Sequence, residues 1–148
     1  MSGPFAKVHH LCIVVRDIAK SVRFYESVGI GPWHDYPPLA EFTELDVPDP
    51  DGFRALVYRY AWIGDFQIQL VQPGSAATPQ RRFLDARGEG VFHVGFEVPA
   101  ADAADAQAAA LGLDVLMRGR RPDGSGFTYF DTAARAGVVL ETRQSPPA

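Results

Sequence analysis

Two histidines occupy matching positions in two halves of the chain that resemble one repeated unit. A shift of 83 positions places His10 on His93. The same shift superimposes three apolar pairs, which are Leu11/Val94, Ile13/Phe96 and Val15/Val98. A single histidine in a strand is usually a packed core residue, but two in register across an internal repeat predict a shared site at the repeat axis. The repeat therefore constrains both the fold and the function.

Composition indicates one globular domain and excludes several partners. The 148 residues, 47% of them hydrophobic, are enough to bury a core. A net charge of −4 argues against nucleic-acid binding, and we interpret Arg118, Arg120 and Arg121 as a solvated loop. The single cysteine, Cys12, fits a reducing compartment. No apolar run approaches the roughly 18 residues needed to span a bilayer, and no signal pattern opens the chain. We expect a cytoplasmic protein without membrane contact.

The hydrophobic pattern of the first half predicts a strand, a helix and further strands. Alternation over 8–15 puts His10 and Cys12 on one face of a strand, and Asp17 follows as the cap of a helix that ends at Gly29. A polar, proline-rich stretch then extends to Gly52. Strand-like segments follow at 53–62 and 66–71.

The second half repeats this order after a connection. Residues 73–89 predict a linker with a short helix around Phe83-Leu84. The elements predicted beyond it are a strand at 91–98, a helix at about 100–111, and strands near 113–118, 126–131 and 137–143. We therefore predict an α+β fold, a single domain over 1–148 in which two βαβββ modules form curved sheets around a cavity. The modules are 7–72 and 90–143, and the linker is 73–89.

Polar residues in the last strand of each half complete a possible metal site. Gln69 and Glu141 face away from the apolar residues that alternate with them. A carboxylate that follows Val138-Val139-Leu140 is expensive to bury unless it is paired or bound to a metal. The proposed ligands are His10, Gln69, His93 and Glu141. Such a mixed nitrogen and oxygen set suits Mn, Fe(II), Co, Ni or Zn. The alternative is a sheet-edge amide at Gln69 and a salt bridge from Glu141 to an arginine.

Aromatic side chains on two strands are candidates for substrate binding. They are Tyr58, Tyr60 and Trp62 on one strand, and Phe127 and Tyr129 on another. If these faces line the cavity, the pocket suits a cyclic or hydrophobic substrate. The alternative is that the rings pack the core of the sheet.

In order and spacing, these motifs resemble the vicinal oxygen chelate superfamily, which includes glyoxalases, bleomycin-resistance proteins and dioxygenases. The resemblance covers roughly residues 7–143. It rests on His10-Leu11-x-Ile13-x-Val15-x-Asp17, Phe24-Tyr25, Ile68-Gln69-Leu70, Gly90-x-x-His93 and Val139-Leu140-Glu141. The His/Gln/His/Glu ligand set is similar to that of methylmalonyl-CoA epimerase-like members. Their catalytic glutamate precedes the Gln strand, where this chain offers Asp49 or Asp51, with Glu41 and Glu44 further upstream.

The resemblance implies a metal-dependent isomerase or epimerase that acts on a carbonyl or thioester substrate through an enolate-type intermediate. Glu141 would be both ligand and base. Three alternatives stay open. They are a glyoxalase-type lyase or dehydratase, an extradiol-type Fe(II) dioxygenase, and a non-catalytic binder of a small aromatic or antibiotic-like molecule. Relatives commonly dimerise and open sheet edges invite pairing, so we expect a homodimer.

Overall fold

The two halves of the chain lie in one curved sheet. The computed structural model describes residues 3–148, and these contain nine strands and five α-helices. The strands are β1 (Val8–Val14), β2 (His34–Asp35), β3 (Glu44–Asp46), β4 (Val57–Ile63), β5 (Phe66–Gln72), β6 (Gly90–Glu97), β7 (Val115–Arg120), β8 (Gly126–Phe130) and β9 (Val139–Gln144). The helices are α1 (Ile18–Ser27), α2 (Pro50–Arg54), α3 (Pro79–Arg87), α4 (Ala101–Ala110) and α5 (Ala133–Ala136). A 3₁₀ turn covers Leu39–Glu41.

The strand order shows how the repeat is built. Across the sheet it is β2-β4-β5-β1-β6-β9-β8-β7-β3. Its first eight strands form a mirrored series in which β1 corresponds to β6 and β5 to β9. Strands β1 and β6 pair antiparallel at the centre, whereas β1 with β5 and β6 with β9 pair parallel. The predicted α+β class is confirmed, and the first and last strands of both halves meet in the middle of the sheet.

The alternation of β1 separates a helix-covered face from a cavity-facing one. Ile13 and Val15 pack with Ile18 and Val22 of α1, whose first turn is capped by Asp17. Cys12 lies in a second core on the opposite face. Because successive side chains of a strand point to opposite faces, His10 shares the face of Cys12. Helix α1 thus covers one face of β1, whereas the other face joins a core to which α2 and α3 contribute Phe53 and Leu84.

The segment before β4 differs from the prediction. The strand predicted over 53–62 begins only at Val57, and residues 50–54 form α2 instead. The Asp49 carboxylate accepts a hydrogen bond from the Gly52 N–H at 2.9 Å, and Pro50 occupies the first turn. These are helix-start signals, so local capping overrides the strand-like composition of Phe53 and its neighbours. The proline-rich stretch also contains two short strands, of which β3 pairs with β7 of the other half.

The basic cluster is not a solvated loop. Arg120 is only 3% exposed and anchors α4 to the sheet. Its guanidinium lies 2.6 Å from Asp105 and 3.1 Å from Asp102, and it donates to the Phe127 carbonyl at 2.7 Å. Burial of an arginine is tolerable here because carboxylates and a carbonyl satisfy its donors.

Within residues 3–148, no helix has the length and apolarity to cross a membrane.

Candidate metal centre and its cavity

Three of the four predicted ligands converge on one point. Nε2 of His10 and Nε2 of His93 are 2.9 Å apart. One carboxylate oxygen of Glu141 (Oε2) lies 2.9 Å from His93 Nε2, and the other (Oε1) lies 3.4 Å from His10 Nε2. These side chains come from β1, β6 and β9, which are neighbouring strands at the centre of the sheet. All three are almost completely buried, so the fold concentrates two imidazoles and a carboxylate away from water.

The spacing of these atoms fits a bound metal ion. Nitrogen ligands that bind an ion at about 2.1 Å and at right angles lie about 3.0 Å from each other. The separation between the two Nε2 atoms agrees with this value. Within residues 3–148, Glu141 forms ion pairs with His10 and His93. The alternative prediction, a salt bridge from Glu141 to an arginine, is therefore wrong.

The fourth predicted ligand lies near Glu141. Gln69 is 3% exposed, and its side chain lines the space beside Glu141. Its Nε2 donates to the side-chain oxygen Oε1 of Gln67 at 2.6 Å. Because that bond uses the amide nitrogen, the Gln69 oxygen is the atom that could coordinate an ion. Gln69 is therefore a buried residue on an interior strand of the sheet and not a sheet-edge amide.

The electrostatics of the cluster favour the protonation states that bind metals. Burial by itself would raise the pKa of Glu141, but His10 and His93 outweigh it and hold this pKa well below its usual range. Burial lowers the pKa of His10, partly opposed by Glu141. The cluster therefore offers an ionised carboxylate and a neutral imidazole, and metal ligands have to be deprotonated in this way.

The tip of His9 touches the opposite side of the His10 ring. The two Nδ1 atoms are 2.8 Å apart, and the His10 Nε2 that faces Glu141 is left for coordination. Burial and the nearby Arg143 lower the pKa of His9 to about 3, which keeps this ring neutral. Contacts of this type fix the orientation of a metal-binding histidine.

Aromatic side chains form the walls of a narrow cavity that reaches the cluster at Glu141. The cavity volume is about 30 Å³, and Tyr58, Phe127 and Tyr129 line it together with Gln69 and Glu141. The two tyrosine hydroxyls are 3.3 Å apart. Burial raises the pKa of both tyrosines well above the usual value, so they stay protonated as hydrogen-bond donors. These rings are part of the core and of the cavity wall at the same time.

The remaining two aromatic candidates lie outside this cavity. Tyr60 and Trp62 line an adjoining open groove of about 430 Å³. Both spaces are bordered by Tyr36, Arg121 and Arg143. The five aromatic residues therefore divide between an inner cavity and an outer groove that share a wall.

The structure does not bring the two candidate aspartates to the site. The Asp49 carboxylate caps α2, and Asp51 is fully exposed, 3.7 Å from Arg54. Neither is among the residues that line the cavity. Of the upstream carboxylates, Glu41 borders the outer groove and Glu44 is exposed on β3.

Several residues at the site were not predicted. Arg143 stands two positions after Glu141 in β9 and thus on the same face, so period-two alternation could have indicated it. Gly95 follows His93 at the same interval and lies opposite His10 in the register. Arg121 and Tyr36 come from loops, where the sequence carries no periodic signal.

Solved structures with this fold include methylmalonyl-CoA epimerases and a hypothetical protein. The epimerase from Mycobacterium tuberculosis has a TM-score of 0.76 at 19% identity, with 99% of this chain and 93% of that chain covered. A variant of the Streptomyces coelicolor epimerase in complex with 2-nitronate-propionyl-CoA has a TM-score of 0.75 at 22% identity, with 97% and 99% covered. A hypothetical protein from Bacillus halodurans has a TM-score of 0.71 at 19% identity, with 96% of each chain covered.

Sequence comparison with families of known proteins gives a match over most of the chain. Comparison with individual curated proteins gives no match. The matching family model covers residues 9–130, from the strand that carries His10 to the strand that carries Tyr129. The chain belongs to the Glyoxalase/Bleomycin resistance protein/Dioxygenase superfamily.

Proposed function

We propose that this protein is a divalent-metal-dependent isomerase or epimerase that moves a proton next to a carbonyl or thioester group. The observation that carries the proposal is the convergence of the buried side chains of His10, His93 and Glu141, of which Glu141 lines a narrow cavity. Gln69 would complete the ligand set for Co, Mn, Ni, Zn or Fe(II). Such an ion supplies Lewis-acid polarisation of the substrate carbonyl.

Glu141 is the group we assign to proton transfer. Among the residues that line the inner cavity it is the single carboxylate, and its depressed pKa keeps it ionised as an acceptor. Asp49 and Asp51 do not line this cavity, so the proposal does not use them. The protonated hydroxyls of Tyr58 and Tyr129 can donate to a substrate oxygen that gains negative charge.

The comparisons support the reaction class more strongly than the substrate. Two of the similar solved structures are named as methylmalonyl-CoA epimerases, and they share the fold at 19% and 22% identity. The aromatic lining of the cavity and groove instead favours a ring-bearing or otherwise hydrophobic substrate. We therefore propose enolate-type chemistry and leave the thioester as one candidate among carbonyl substrates.

Metal binding is the first test of this function. His10→Ala and His93→Ala should each abolish stoichiometric binding of Co or Mn and leave a folded protein, since each removes one of the converging ligands. Titration calorimetry measures the binding, and circular dichroism checks the fold. A full equivalent of metal at wild-type affinity in both variants would show that the site is assigned wrongly.

Hydrogen exchange tests the chemistry. With metal added, the enzyme should exchange the α-hydrogen of 2-substituted malonyl-CoA thioesters, hemithioacetals or cyclic hydroxyketones with solvent deuterium, followed by NMR. Glu141→Gln should slow this exchange about 10²–10⁴-fold, because an amide cannot accept the proton. Oxygen uptake with a catechol would support the dioxygenase alternative instead. Elimination of water or thiol would support the lyase or dehydratase. Tight ligand binding without metal or exchange would support the binder.

A further inference from the structure

Two arginines border both the inner cavity and the outer groove. They are Arg121, in the loop after β7, and Arg143 in β9, and both side chains are largely buried. We propose that these arginines form a subsite that binds a carboxylate on the substrate. This inference deepens the proposed function, because it requires the cavity around Glu141 to be the place where the substrate binds.

Arg143 is held in place but keeps donor capacity. Its side chain is 15% exposed, and Nη1 donates to His9 at 2.9 Å. Nε lies 3.7 Å from a Glu97 oxygen, beyond hydrogen-bond distance. In the part of the chain that the structure describes, Nη2 of Arg143 makes no hydrogen bond. An imidazole and a distant carboxylate orient this guanidinium without using all its donors.

Arg121 is placed by an aromatic ring and one carboxylate at the rim. Its guanidinium carbon lies 4.3 Å from the centre of the Phe42 ring, an arrangement that fixes the plane of the fork. Nε is 3.2 Å from a Glu41 oxygen, and the Glu41 side chain is about half exposed. A solvated carboxylate is screened by water and offsets the cation only weakly. Arg121 therefore contributes positive potential to the cavity.

Basic side chains outnumber acidic ones among the residues that line the cavity, although the protein as a whole is acidic. The chain carries a net charge of −4, yet two arginines face one carboxylate among the residues that line the cavity. A metal ion at the cluster would raise the positive charge further. Charges with little water around them are costly unless a counter-charge is close. The half-exposed Glu41 and the more distant Glu97 supply that counter-charge only in part, and an anionic group on the ligand would add to it.

Size and shape favour a carboxylate on an apolar body. The inner space of about 30 Å³ admits only a small group, and the planar guanidinium fork matches the two oxygens of a carboxylate. The adjoining groove of about 430 Å³ has room for a larger body against Tyr60 and Trp62. The inferred ligand is thus a hydrophobic or aromatic carboxylic acid. Its reacting carbonyl group would lie in the inner cavity, and its larger apolar part would lie in the outer groove.

The test compares a carboxylate with its neutral counterpart on metal-free protein. The probes are 3-phenylpropanoate and 3-phenylpropanamide, titrated by calorimetry after chelation. We expect the carboxylate to bind about 10- to 100-fold more tightly, the usual range for a charge-assisted hydrogen bond. Arg121→Gln and Arg143→Gln should each remove most of this preference. Arg143→Lys should restore only part of it, since an ammonium lacks the fork.

Two controls separate this subsite from other effects. Arg82→Gln removes the same charge at an exposed position of α3, and it should leave both affinities unchanged. His93→Ala removes a metal ligand but should retain the carboxylate preference, so a failed metal site and a failed anion subsite give different results. Thermal unfolding confirms that each variant is folded.

The outcomes decide the matter. Equal affinity for acid and amide, a preference that survives both Arg→Gln changes, or no binding of either probe at millimolar concentration would each overturn the subsite. Tighter binding of phenylphosphonate than of the carboxylate would overturn the assignment to carboxylic acids.

Discussion

The close packing of the His10 ring against Gly95 makes a sharp test of the site. These residues are opposite each other in the β1–β6 ladder. A Cβ atom at Gly95 would lie 2.5 Å from His10 Nδ1 and closer still to Cε1 and Nε2. Such distances are far below van der Waals contact, so Gly95→Ala forces the imidazole to move. Glycine is required here because the ligand ring occupies the space of its side chain.

The expected losses of stability and metal affinity follow from how tightly the His10 ring is packed. His10 is 1% exposed, with Nδ1 2.8 Å from His9 and Nε2 beside His93. A displaced ring disturbs both contacts, and overpacking of this kind costs about 1–3 kcal/mol of stability. A misoriented ligand also weakens metal binding, for which loss of an orienting contact typically gives about 10–100-fold. We expect both effects in Gly95→Ala.

A second glycine in the same strand provides the matched control. A Cβ at Gly90 would meet Phe83 at 4.0 Å, an ordinary contact. Gly90→Ala should therefore keep wild-type metal affinity and stability. Co or Mn titration calorimetry and urea unfolding of metal-free protein measure the two quantities. The reasoning is refuted if Gly95→Ala matches the wild type in both measurements, or if Gly90→Ala loses as much.

Three further predictions concern metal, packing and assembly. Chelation should lower the melting temperature, because ligand at about a hundred times its Kd stabilises a protein by about 2.7 kcal/mol; in His93→Ala the chelator should have no effect in the same scan. Asp105→Ala should lower the free energy of unfolding in urea by about 3 kcal/mol, because Arg120 loses its partner at 2.6 Å. Asp102→Ala should lower it by less than about 1 kcal/mol, because Asp102 is exposed. Equal losses would contradict this prediction. The homodimer stays a prediction, and sedimentation at micromolar concentration tests it; a monomer would count against it. Pairing through sheet edges has little support, because the outer strands β2 and β3 have only two and three residues.

Local pattern was sufficient for most of the architecture. The register between His10 and His93 predicted the repeat, and alternation around Gln69 and Glu141 predicted their faces, because successive side chains of a strand point in opposite directions. Caps also act locally, and Asp17 begins α1 as expected. In the segment after Gly52 the local signals conflicted. Asp49 and Pro50 carried the correct one, and the apolar residues that followed led to the wrong prediction of a strand.

Long-range contacts decided what the pattern could not. Glu41 reaches Arg121 across 80 positions of sequence, and Arg143 reaches His9 across 134. Arg120 and Arg121 are adjacent in sequence, yet one is fastened to α4 and the other borders the cavity. Alternation gives the face on which a strand residue lies, but not what covers that face. The sequence by itself therefore determined most of the strands and the set of candidate ligands. Only the tertiary structure decided which charges surround that set, because these charges are placed by contacts between residues that lie far apart in the sequence.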